Sequence, residues 1–223
     1  MIPWQHLDTA KVPGGGEMRL IRRGSEYSIM LGNIALMNSR LFGSEEALAA
    51  LSFGKIVERR EPRILIGGLG MGFTLRAALA IAPAGGRIDV SELVPEVVAW
   101  ARGPMSEIFA GSLDDARTHV IVEDVGAIMR RSRRAYDAIL LDVDNGPEGL
   151  SRPGNDSLYS SAGLALARDA LLRGGVLAVW SQGPDDRFAQ RLRKAGFDVD
   201  EQRVRASKSK RGARHVIWLA VKS

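Results

Sequence analysis

The chain predicts an α/β fold: a mostly parallel seven-stranded sheet with helices on both faces, preceded by a small antiparallel β meander. Three features carry this. The hydrophobic period changes near residue 63, from alternating apolar residues to strands separated by helical patterns. Several strands are continuous apolar runs, such as 138–141 and 176–180, as expected where a parallel sheet is covered on both faces. Residues 63–76, RILIGGLGMGFTLR, run an apolar strand into a glycine turn and then into a helical pattern.

Residues 1–16 read as a loose arm ending in three glycines. Residues 17–37 alternate, with Met18 and Leu20, then Tyr27, Ile29 and Leu31, then Ile34 and Leu36, and with Gly24 and Gly32-Asn33 between the runs. That is a short meander. Gly43-Ser44-Glu45-Glu46 then opens a helix through EEALAALSFGKIVERR, with Ser44 as the N-cap and acids in the first turn. The pattern divides the chain into an arm and meander at 1–43 and a nucleoside-binding catalytic domain at 44–223. Further strands are expected at 63–67, 86–91, 118–122, 136–142, 174–180, 197–205 and 214–221. Helices are expected at 73–82, 94–102, 105–110, 125–132, 160–172 and 184–195.

Composition narrows the function. At 223 residues the chain needs no covalent staples. It has no cysteine, which excludes disulfides and thiolate metal sites and fits a reducing cytoplasm. The three histidines, His6, His119 and His215, are scattered, so no metal site is expected. The first 16 residues lack the pattern of a signal peptide, and no apolar run approaches the ~18 residues of a membrane helix. The net charge is +5, and residues 203–214 carry six basic side chains and no acid. That segment reads either as a patch for nucleic acid or another polyanion, or as a solvated hairpin loop.

Polar groups gather at the strand ends, where open α/β sheets bind ligands. The spacing of Gly68, Gly70 and Gly72 suits close approach of a ligand to backbone at a helix start. Glu92 lies 24 positions after Gly68 and ends the next strand. It either accepts hydrogen bonds from two ribose hydroxyls or caps the helix near Pro95. The third strand ends on Glu123-Asp124, where a carboxylate suits an adenine amino group. The fourth ends on Asp142, Asp144, Asn145 and Gly146. Asp142 either faces the cleft or caps a loop; Asp144 either joins it or sits in a plain turn.

Together these motifs make the core from about 63 to 182 resemble class I S-adenosylmethionine-dependent methyltransferases, with their Rossmann-like fold, and within them the spermidine synthase-like branch. The carriers are the glycine loop ending in Thr74-Leu75-Arg76, the element from Glu92 to Val98, Glu123-Asp124, the run from Tyr136 to Asp142, Leu158-Tyr159-Ser160, and Arg173 to Leu177. The resemblance implies S-adenosylmethionine or its decarboxylated form as cofactor, and no metal. It assigns Gly68, Gly70, Gly72, Leu93 and Val125 to cofactor contact. Glu92 falls to the ribose, Asp124 to adenine, and Asp142 to both cofactor and reacting centre. Asp144 and Tyr159 join Asp142 as catalytic candidates, although Tyr159 is equally placed to pack at its helix start. It implies a small-molecule acceptor, an amine among the candidates, and a homodimer.

The chain departs from that branch. Leu69 and Met71 fill the glycine loop where an aspartate is usual. Gly43-Ser44-Glu45-Glu46 replaces a Tyr-His-Glu cluster, and the segment after Asp142 is contracted. A polyamine needs several acids to offset its desolvation. Asp142, Asp144 and one of Glu45 or Glu46 form a thin set, so the reading favours methyl transfer over aminopropyl transfer. Two further alternatives stand. A nicotinamide dehydrogenase conflicts with Phe73, which occupies the place of a third glycine. A non-catalytic nucleoside- or nucleic-acid-binding domain would use the basic segment.

Overall fold

The alternating N-terminal segments pair in sequence order as an antiparallel sheet: β1 (Gln5–Lys11), β2 (Glu17–Arg23), β3 (Glu26–Leu31) and β4 (Ile34–Asn38). The computed structural model describes residues 2–143, 157–206 and 213–223. Strand β1 corrects the loose-arm reading of residues 1–16. It pairs with β2, and Asp8 accepts a hydrogen bond from Trp100 Nε1 at 2.6 Å.

Helix α1 (Gly43–Lys55) leads to a second sheet. Its strands are β5 (Arg63–Gly67), β6 (Arg87–Glu92), β7 (Thr118–Val122), β8 (Tyr136–Leu141), β9 (Leu171–Ser181), β10 (Phe197–Arg205) and β11 (Arg214–Lys222). Their order is β10-β11-β9-β8-β5-β6-β7. β7, β6, β5, β8 and β9 run parallel, while β11 pairs antiparallel with both β9 and β10. The intervening helices are α2 (Phe73–Ile81), α3 (Pro95–Arg102), α4 (Ser106–Phe109), α5 (Val125–Arg131), α6 (Ser161–Ala170) and α7 (Asp186–Lys194). No helix among the described residues is long and apolar enough to cross a membrane.

The two-residue period of the strands sorts the core onto two faces. Ile64, Ile66, Ala138 and Leu140 pack with Leu48, Leu75 and Trp100, and with Leu20 and Ile29 of the N-terminal sheet. Leu65, Ile139 and Leu141 point the other way, into Ile128, Leu164 and Phe188. The meander therefore shares a core with α1, α2 and α3.

Two predicted helix bounds shift for local reasons. Helix α1 stops at Lys55, where the Ile56 amide turns to the Phe53 carbonyl. Leaving the helix lets Arg59 reach Asp137 at 3.1 Å and the Arg173 carbonyl at 2.7 Å. Helix α6 stops at Ala170 because Leu171 already pairs with Tyr136 in the sheet.

Strand order reverses at β5, which has β6 on one side and β8 on the other, so the crevice for a ligand lies at its carboxyl end. There the chain turns through Gly68 and Gly72, at φ +90° and +76°, a region that costs an L side chain strain. A Cβ on Gly72 would also drive into the Phe109 ring. Substituting Gly72→Ala is expected to lower stability by about 2–3 kcal/mol, combining left-handed strain with overpacking. Urea unfolding monitored by circular dichroism checks this; an unchanged midpoint contradicts it.

Candidate active site

Backbone bonds join three strand ends before any side chain contributes. The Gly68 amide donates to the Ser91 carbonyl at 2.9 Å, and the Asp142 amide donates to the Gly67 carbonyl at 2.9 Å. The approach is close enough that a Cβ on Gly68 would lie 2.5 Å from the Asp142 carbonyl oxygen.

Glu92 fixes the turn that follows. Its carboxylate accepts from the Leu69 amide at 3.0 Å and from the Val94 amide at 2.9 Å. The side chain is only 8% exposed. Burial pushes its carboxyl above the usual range, opposed by the amides of Val94, Leu69, Gly70 and Leu93. Val94 holds the N-cap position of α3, so Glu92 ties the start of that helix through the Val94 amide and braces the glycine turn through the Leu69 amide.

These ends open on a cavity of about 370 Å³. Gly68, Gly70, Glu92, Leu93, Asp124, Val125 and Asp142 all line it. Seven residues singled out from sequence thus converge on one space. Its apolar wall comes from the N-terminal sheet and its continuation, through Val12, Met18, Ile29, Leu36, Met37 and Leu41. Met37 lies against Gly70, where a Cβ would meet its Cε at 2.6 Å.

Two predicted site residues among those described fall elsewhere. Gly72 is covered by Phe109 and does not line the cavity, so its glycine serves the turn. Tyr159 is 2% exposed; its ring packs edge-on against Phe188 at 5.6 Å, and its hydroxyl donates to the Val143 carbonyl at 3.3 Å. It does not line the cavity; it packs at its helix start, the other of the two readings open from sequence, and supports Val143 next to Asp142. Asp144 lies outside the described residues, as do 207–212 of the basic segment. Asp124 also caps α5, its Oδ1 accepting from the Ala127 amide at 2.9 Å.

Two further raised carboxyls, Asp142 and Glu45, line the cavity and interact with each other. Asp142 accepts from Thr74 Oγ1 at 2.5 Å, and burial raises its pKa to about 6 against that hydrogen bond. Glu45, from the first turn of α1, is raised to about 7 by burial and then by the charge of Asp142. Ser44 is not the predicted N-cap; that position belongs to Phe42. The Ser44 hydroxyl donates to Glu45 Oε2 at 2.6 Å and lies 2.9 Å from His215 Nδ1. His215 itself stands edge-on to Trp180 at 4.7 Å, and both line the cavity. Sequence reasoning missed His215, which sits 171 positions from Ser44 and has no local motif.

A carboxyl whose folded pKa exceeds its unfolded value stabilises the fold while protonated. For Asp142 that contribution is full below about 3.8 and is lost as pH rises through about 6. Asp142→Asn should therefore be more stable than the parent at pH 7.5, by roughly 1–3 kcal/mol, with the gap closing toward pH 4. Urea unfolding at the two pH values checks the sign; a variant less stable at pH 7.5 contradicts it.

Comparison with known proteins agrees with this geometry. The family model of the spermine/spermidine synthase domain matches residues 41–188. A polyamine aminopropyltransferase of Mycobacterium tuberculosis is 31% identical over 198 residues, covering 84% of this chain and 36% of the relative. Polyamine aminopropyltransferase 2 of Pseudomonas aeruginosa is 35% identical over 124 residues, covering 53% of this chain and 33% of that protein. The chain thus spans about a third of the length of these curated relatives. Among solved structures, the spermidine synthase of Thermotoga maritima superposes with a TM-score of 0.76 at 18% identity, covering 98% of this chain and 73% of that one. A spermidine synthase in complex with the transition-state analogue AdoDATO gives 0.75 at 18% identity, with the same coverage of each chain. These two share the fold: Rossmann-like, with a mostly parallel seven-stranded sheet and a small N-terminal sheet. On the match of the family model over most of its length, this chain belongs to the spermine/spermidine synthase family.

Proposed function

We propose that the chain transfers an aminopropyl group from decarboxylated S-adenosylmethionine to a small amine. The observation that carries this reading is the charge of the cavity. Glu45, Glu92, Glu123, Asp124 and Asp142 line it, and among its described lining residues there is no lysine or arginine. S-adenosylmethionine carries a carboxylate that such a wall repels. The decarboxylated form lacks it and has one more net positive charge, which the wall attracts. The relatives named polyamine aminopropyltransferase point the same way.

The preference for methyl transfer drawn from sequence is therefore set aside. It rested on a thin set of acids, Asp142, Asp144 and one of Glu45 or Glu46; of the last two it is Glu45 that lines the cavity with Asp142, and Glu123 lines it as well. In this reading Glu92 holds the ribose while keeping its bonds to the turn. Gly68, Gly70 and Leu93 lie along the nucleoside, and Asp124 and Val125 meet the adenine. Asp142 faces the reacting carbon, orients the amine and accepts its proton. Fixing the amine, carbon and sulfur in line supplies much of the acceleration, because the sulfonium is already an activated leaving group.

Calorimetry with the two cofactors tests the proposal. Decarboxylated S-adenosylmethionine should bind at least about tenfold more tightly than S-adenosylmethionine, a difference of about 1.4 kcal/mol. With 1,4-diaminobutane present it should yield methylthioadenosine. Equal or reversed affinity, with methyl transfer detected, overturns it.

A further inference from the structure

Glu45 is a half-buried carboxylate with an unusual set of neighbours. Its hydrogen-bond partner is the Ser44 hydroxyl, whose single proton it receives. The contact between Ser44 and His215 therefore has Nδ1–H donating to the hydroxyl, which fixes the ring in its Nδ1-protonated tautomer. Burial pushes the His215 imidazole down, so the ring is neutral at neutral pH. The titratable groups facing Glu45 are Asp142 at the end of β8, His215 on β11 and Glu46 on its own helix. Two of these three are acids and the third carries no charge. No ion pair to Glu45 occurs among the described residues.

A carboxylate buried without a cation costs several kcal/mol, and a second acid beside it adds to that cost. Uptake of a proton or entry of a cation into the cavity relieves it. We propose that Glu45 is a second acceptor-binding carboxylate which, with Asp142, grips the cationic amine of the acceptor, and that Ser44 and His215 are the positioning residues that aim it. This deepens the proposed aminopropyl transfer and rests on it. The ammonium of the acceptor gives one proton to the carboxylate pair. The freed nitrogen lone pair forms the C–N bond as the C–S bond breaks, and the electron pair of that bond returns to sulfur. The product leaves as a protonated secondary amine, and the proton on the carboxylates passes to water.

A bound ammonium must lower the proton affinity of the pair, so amine binding should release protons near pH 6.5 even without turnover. The test titrates 1,4-diaminobutane, 1,3-diaminopropane and spermidine into the whole chain saturated with methylthioadenosine. Buffers of different ionisation heat count the protons released. The parent should release protons with at least one amine. Glu45→Gln should bind that amine at least about tenfold more weakly and release fewer protons, while methylthioadenosine affinity, which also reports folding, stays within about twofold. In turnover Glu45→Gln should raise KM for the amine more than it lowers kcat, and shift the acid limb of kcat/KM. Ser44→Ala should show the same pattern more weakly, and Ser44→Thr should restore it. Unchanged amine affinity and proton release in Glu45→Gln would overturn the role of Glu45, leaving aminopropyl transfer by the parent intact. A parent that binds methylthioadenosine but none of the amines would overturn both readings.

Discussion

Glu92 accepts one hydrogen bond from the Leu69 amide and one from the Val94 amide, and the site is built around those two bonds. They clamp the turn after β5 to the end of β6. The backbone pairs from Gly68 to Ser91 and from Asp142 to Gly67 then align the turn with β6 and β8. Without this clamp the glycines would be a loose connection. With it they are a rigid floor, and the carboxylate doing the clamping remains on the cavity wall. The two amide bonds to its oxygen atoms are why burial of an acid is tolerated at this position.

The cavity extends the same compromise. Asp142 and Glu45 are both held above their ordinary carboxyl range, chiefly by burial. Each is destabilising to the empty fold at neutral pH, and each is suited to a cationic partner. Natural sites often sacrifice stability for such preorganisation. The apolar half of the wall, supplied by the N-terminal sheet, has a different task. Residues such as Ile29, Leu36 and Met37 exclude water from one side of the cavity, which strengthens the electrostatics on the other.

Much of the fold was legible because its signals are local. Apolar runs such as Ala138 to Leu141 specify buried parallel strands, and Gly68 to Gly72 specify a turn that few other residues adopt. The positions of Glu92, Asp124 and Asp142 at strand ends follow from the same periodicity. What sequence could not reveal depends on contacts across the chain. Ser44 looks like an N-cap until His215 arrives from β11 and draws its hydroxyl into another bond. Tyr159 suits the site or its helix start equally well in the sequence, and its edge-on contact with Phe188 comes from a distant helix. Glu45 and Glu46 are indistinguishable in the sequence, and only the orientation of α1 turns Glu45 into the cavity.

The central claim is that a single nucleoside fits between the glycine turn, Glu92 and Asp124, with its sulfur directed at Asp142. A crystal structure of the complex with methylthioadenosine measures this directly. The account predicts ribose hydroxyls on the Glu92 carboxylate with the bonds to Leu69 and Val94 retained, the adenine beside Asp124 and Val125, and the sulfur facing Asp142. A nucleoside bound outside this cavity, or inside it with the ribose away from Glu92, would contradict the account.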